Sequence, residues 1–141
     1  MSQKWNTPPL LNPLPNGGYF EMEILTGTPS SDYGNVFGFG KYDKIGTYAN
    51  NYDAVLGYIA YSSGNSTFNL VLRNAGTDTT VSGLSINVVH TIKIDKDYVY
   101  VNGASVMSTN YWVTNAEYVA IGSIEGSKRY DGQYVSIKLF S

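Results

Sequence analysis

"DYVYVNGASVM", residues 97 to 107, sets Asn102-Gly103 between two short runs of β-branched and aromatic residues. A two-residue hairpin turn of type I′ needs positive φ at both central positions; Gly reaches that region freely and Asn tolerates it. The stretch is therefore predicted to be a tight hairpin that joins Tyr98–Val101 to Ala104–Met107.

Working outward, a period of two recurs from residue 19 onward. Phe20, Met22 and Ile24 alternate with Glu21 and Glu23, Phe68, Leu70 and Leu72 alternate with Asn69, Val71 and Arg73, and Ile92 and Ile94 alternate with Thr91, Lys93 and Asp95. Alternation of this kind gives a strand one dry face and one wet face. Further strands are predicted at 35–42, 45–50, 53–61, 77–82, 117–123 and 133–140. Helical stripes of comparable length are missing. Many short strands with turn chemistry between them predict an all-β fold, a two-sheet antiparallel sandwich or a closed barrel.

The segment "VVHTIKIDKDYVYVNGASVM" (88–107) resembles the central part of concanavalin A-like domains of the laminin G type: a strand bearing a His, an Asp-containing turn, and a hairpin. The ending, "YVAIGSIEGSKRYDGQYVSIKLFS" (118–141), is similar to that family's close, a strand ending in Ile-Gly, a loop, and a last alternating strand. The resemblance covers residues 84–141 by pattern and reaches back to residue 19 by strand rhythm. It implies an all-β, two-sheet antiparallel jelly-roll β-sandwich used to bind glycans or proteins, and in larger relatives to cleave polysaccharides.

A chain of 141 residues without cysteine is expected to fold as one domain that buries roughly two thirds of its unfolded surface, with no disulfide or thiolate site. Nine basic and eleven acidic side chains leave a net charge of −2 with no basic stripe, so nucleic acid is not an expected partner. No apolar run approaches the length of a bilayer helix, and the N-terminus lacks the apolar core of a signal peptide. A soluble chain without a membrane partner is expected.

Residues 1–18 carry Pro8, Pro9, Pro13 and Pro15 among Trp5, Leu10, Leu11 and Leu14. Proline fixes φ and removes a donor, so this arm is predicted to be extended. Two readings stand: a terminal strand or polyproline segment along the domain, or an arm that docks Trp5, Leu10 and Leu11 on another subunit. Residues 19–141 form the single sandwich domain.

The chemical candidates are few. Glu21 and Glu23 project from one strand face about 7 Å apart, which could approach the roughly 5 to 5.5 Å between the carboxyl groups of a retaining glycosidase. Glucanases of the resembled fold carry a Glu-x-Asp-x-Glu or Glu-x-Asp-x-x-Glu pattern. Here Glu23 stands in the Asp place, and Leu25 and Thr26 occupy the sites of the third acid. The pair is read as ordinary alternation, with no catalytic residues and no enzyme. His90, the sole histidine, has the parity of Ile92 and Ile94 and is read as a satisfied, partly buried side chain. "GFGK" (38–41) lacks the spacing and helix of a phosphate loop, and "NST" (65–67) is a formal glycosylation sequon. Asp53 and Asp131 could donate oxygens to calcium in loops, but Asx-turn chemistry explains them equally. No metal ligand or cofactor is assigned.

Tyrosine is the conspicuous excess, with thirteen in the chain. Tyr42, Tyr48, Tyr52, Tyr111, Trp112 and Tyr130 fall at predicted loops or strand ends, beside Asn50, Asn51, Asn110 and Arg129. Such side chains suit sugar stacking and protein interfaces alike, and equally cover the outer faces of a β-rich protein. They are the candidate ligand- or partner-binding residues. The functional expectation is a non-enzymatic display or binding protein of a virion, such as a bacteriophage capsid-decoration or tail-associated sandwich. It would dock on protein subunits of an assembly, multimeric on a particle, with glycan as a further ligand. The alternative is a carbohydrate-binding module of a larger secreted protein. The corresponding locations are the virion surface and the extracellular space.

Overall fold

The computed structural model describes residues 3–5, 19–28, 34–40, 54–61, 66–74, 77–95, 97–108, 118–121, 130 and 132–140. They form eleven strands: β1 (Gln3–Trp5), β2 (Tyr19–Leu25), β3 (Gly34–Gly40), β4 (Ala54–Tyr61), β5 (Thr67–Asn74), β6 (Thr77–Ser85), β7 (Val89–Asp95), β8 (Tyr98–Val101), β9 (Ala104–Ser108), β10 (Tyr118–Ile121) and β11 (Gln133–Phe140). Among the described residues no helix is long and apolar enough to cross a membrane.

The strands make two sheets. One has six strands in the order β1-β10-β3-β4-β5-β6, the other five in the order β11-β2-β7-β8-β9. All neighbours are antiparallel. This is the expected two-sheet jelly-roll sandwich. The predicted strand at 45–50 lies outside the described residues. Of the N-terminal arm, Gln3–Trp5 pairs with β10 at the edge of the six-stranded sheet, Trp5 opposite Val119, whereas Leu10 and Leu11 lie outside the described residues.

The interlayer is built from the period of two. Phe20, Met22, Ile24, Ile92, Ile94, Val99 and Val101 from the five-stranded sheet meet Phe37, Val55, Ile59, Phe68, Leu70 and Leu72 from the six-stranded one. Each is essentially fully buried, and each such side chain stabilises the fold by roughly 1.5–3 kcal/mol. Gly57 makes room for a ring: a β-carbon there would sit 2.2 Å from the Phe37 ring.

The 97–107 hairpin forms as the turn chemistry demands. Asn102 and Gly103 have φ of 51° and 85°, and Val101 pairs with Ala104. At the preceding turn, Asp95 Oδ1 accepts from the backbone N–H groups of Asp97 and Tyr98, each at 2.8 Å. This is the Asx arrangement that closes β7 onto β8.

Glu21 and Glu23 stand on the side of β2 away from the interlayer, half-buried in a strand that alternates strictly with buried Phe20, Met22 and Ile24. Glu21 is in register with Lys93 on one side and Lys138 on the other. Glu23 accepts a 2.6 Å hydrogen bond from Ser136 Oγ.

Candidate functional site

The register of β4, β5 and β6 places Leu56, Tyr58 and Ala60 beside Arg73, Val71 and Asn69, and these beside Asp78 and Thr80. These residues have the opposite parity to Phe68, Leu70 and Leu72, so they lie on the outer face of the six-stranded sheet. Leu56, Tyr58 and Val71 are nonetheless buried, at 2%, 8% and 5% exposure. They give this face an apolar floor.

Upon that floor sits a charged cluster. Arg73 and Asp78 flank the β5–β6 turn and meet across it, with Arg73 Nε donating to Asp78 Oδ1 at 2.6 Å and Nη2 donating to Oδ2 at 3.0 Å. This two-point geometry is the strongest form of guanidinium–carboxylate contact. The Tyr58 hydroxyl also donates to Asp78 Oδ2, at 3.2 Å, and the guanidinium carbon lies 5.8 Å from the Tyr58 ring centre. The Arg73 hydrogen bond holds the Asp78 carboxyl below the usual carboxylate range; partial burial opposes this, and the guanidinium charge and the Tyr58 hydroxyl reinforce it. Tyr58 thus serves as a buttress, while the carboxylate and guanidinium, each about one third exposed (36% and 32%), are presented to solvent in fixed orientation. A guanidinium and carboxylate so held, with Thr80 on the same face of β6, suit hydrogen bonding to a polyhydroxylated ligand.

A second polar cluster surrounds the buried ring of His90. Asn102 Oδ1 accepts from the Thr91 N–H at 2.9 Å, which leaves its amide nitrogen to donate to His90 Nδ1 at 2.9 Å. His90 Nε2 must then carry the proton and donate to the Ser85 carbonyl, 2.8 Å away. The ring packs edge-on against Phe68 at 5.6 Å and is 5% exposed. His90 is therefore a structural tie between the β6–β7 crossover and the β8–β9 hairpin, as its parity indicated.

The predicted binding residues divide sharply. Tyr42, Tyr48, Asn50, Asn51, Tyr52, Asn110, Tyr111, Trp112 and Arg129 lie outside the described residues. Tyr130 does not: it is buried at 8% exposure, its hydroxyl is 2.7 Å from Thr26 Oγ1, and its ring meets Tyr134 edge-on at 5.2 Å. A β-carbon on Gly132 would overlap the Tyr130 ring, so the glycine lets the ring turn inward. Tyr130 belongs to the core and is unavailable as a loop contact, a correction to its reading from sequence. The chain positions of two other groups are informative. Residues 41–53 connect Gly40 to Ala54, and residues 109–117 lead into Tyr118. Gly40 is paired with both Ala54 and Tyr118, at the end of the sheet where Leu56 pairs with Arg73. The described residues Gly40, Ala54 and Tyr118 thus lie at the same end of the sheet as the Arg73–Asp78 cluster.

Sequence reading missed Tyr58, Arg73 and Asp78. The available signal was "RNAGTD", residues 73–78, in which opposite charges flank a turn between two alternating runs. Among the described residues there is no group of three or more His, Asp or Glu side chains able to hold a metal ion; Asp53 and Asp131 lie outside them.

No protein-family model matches the chain, and neither does the sequence of any curated protein. Its architecture, a two-sheet antiparallel jelly-roll β-sandwich, is similar to that of solved galectins. Over 99% of its length it is similar to tailspike protein 2 of an Escherichia coli O157:H7 bacteriophage, at a TM-score of 0.59 and 14% identity. Over the same share it is similar to a human galectin-16 variant (TM-score 0.54, 9% identity) and to an ancestral congerin (TM-score 0.50, 12% identity). The chain spans 21% of the tailspike but 93% and 98% of the other two.

Proposed function

We propose that the chain is a non-enzymatic glycan-binding sandwich of a virion, carried on a bacteriophage particle through contacts with other protein subunits. The observation that carries the glycan reading is the Arg73–Asp78–Tyr58 cluster on the outer face of β4–β6. Its donors and acceptors offer partners to sugar hydroxyls. The fold likeness to galectins agrees with this reading. The virion reading draws on the likeness to the phage tailspike. Absence of catalysis is inferred from the missing third carboxylate on β2 and from the engagement of Glu23 with Ser136.

A glycan array probed with the chain, followed by calorimetric titration of the best ligand, tests the proposal. Arg73→Ala and Asp78→Asn should each weaken binding by at least about tenfold, the loss of one good charged contact. Glu21→Gln with Glu23→Gln should leave binding unchanged, and the wild type should release no reducing ends from the ligand. An array without ligands, or affinities indifferent to Arg73 and Asp78, would refute it. A second reading, a carbohydrate-binding module of a longer secreted protein, draws on the small share of the tailspike that this fold occupies. Association of the chain with purified particles separates the two.

A further inference from the structure

We infer that β6 is an interface at which two copies of this chain pair edge to edge, antiparallel about Thr79, to join their six-stranded sheets. Among the described residues, β6 ends its sheet, with β5 as its one hydrogen-bonded neighbour. Thr77, Asp78, Thr80 and Ser82 are exposed along it. Natural edge strands are usually blunted by lysine, proline, bulges or brevity. The nine residues of β6, TDTTVSGLS, contain neither Lys, Arg nor Pro. Its register against β5 is regular from Thr77 to Val81 and shifts only beyond, where Gly83 has φ of 74°. Among the described residues, 77–81 are thus a regular, threonine-rich edge that ends at a register shift.

The other edges differ. β1 has three residues, β9 pairs through a register shift between Val99 and Tyr100 of β8, and β11 has a shift at Val135 and carries Lys138.

The geometry selects a second copy as the occupant because 77–81 is self-complementary. Pairing about Thr79 sets Thr79 against its twin, Val81 against Thr77, and Asp78 against Thr80 of the second copy. The even-numbered residues stay on the outer face and the odd-numbered ones continue the interlayer side. The one charged residue of the segment thereby meets a hydroxyl rather than another acid, a favourable cross-strand pair. Each Asp78 is also compensated by its own Arg73. An isologous pairing consumes both edges and closes the assembly at two. It would set both Arg73–Asp78 clusters on one continuous surface, so that Thr80 of one copy borders the cluster of the other.

The test needs no ligand, so its outcome is separate from that of the glycan reading. Sedimentation equilibrium from micromolar to near-millimolar protein should show a reversible dimer. Thr80→Asp, which places two like-charge contacts in each dimer, should raise the dissociation constant about tenfold, whereas Thr80→Lys, which faces Asp78, should lower it. Both variants should keep the far-ultraviolet spectrum of the wild type. A monomer throughout the range, growth beyond a dimer, or the same change in both variants would overturn the inference.

Discussion

The two polar clusters of this sandwich have opposite designs. His90, Asn102 and Ser85 form a hydrogen-bonded network at the crossover between sheets, with the ring shut away from water. Arg73, Asp78 and Tyr58 form a charged network on an outer face, held rigid from below and open above. A buried ring whose polar atoms are hydrogen-bonded can fix one arrangement of the chain. A charged, part-exposed pair adds little to stability, yet it keeps two strongly interacting groups in one orientation. The first cluster specifies the fold, and the second is available for recognition.

The largest effect should come from the inner side. Phe68→Ala removes a fully buried ring from the interlayer and the edge-on partner of His90, and should lower unfolding free energy by about 3–5 kcal/mol in denaturant titrations. Asn102→Ala should follow at about 2–4 kcal/mol, because it strips partners from His90 Nδ1 and the Thr91 N–H and puts alanine, which tolerates the left-handed region less well than asparagine, at a φ of 51°. Asn102→Gly should cost about 1–2 kcal/mol less, since only the hydrogen bonds are lost. Equal losses in the two variants would mean that the backbone conformation contributes nothing at this turn.

The outer cluster should respond weakly in stability. Arg73→Ala should change unfolding free energy by less than about 1 kcal/mol. Because the folded-state pKa of Asp78 is lowered, its stabilisation is present above the ordinary carboxylate range and disappears as pH falls through the folded value. The small stability gap between wild type and Asp78→Asn should therefore be visible at neutral pH and close in strong acid. A gap that widens in acid would contradict the assigned pairing.

Alternation in β2, β5 and β7 and the Asn102-Gly103 turn were legible in the sequence because period and turn chemistry are local. They carried the sandwich with them. Parity likewise placed His90, although its partners Ser85 and Asn102 required the fold. The Arg73–Asp78 pair escaped because a charge at a strand end looks the same whether it faces water alone or meets a partner across a turn. Tyr130 was misread for a related reason: a tyrosine beside a charged residue and a glycine has the composition of a loop, and only the tertiary position of Thr26 reveals where its hydroxyl goes. Tyr58 was hidden by the apolar run in which it sits.

The bond from Ser136 to Glu23 joins residues 113 positions apart, and it lies within the seam that pairs β11 with β2. Loop-closure entropy must be overcome before such a seam returns any favourable energy, so a topology of this kind folds in milliseconds to seconds rather than microseconds. During synthesis on a ribosome, β2 has to wait with one flank bare until β11 emerges. A chaperone, or prompt capture by an assembly partner, would find its opportunity in that interval.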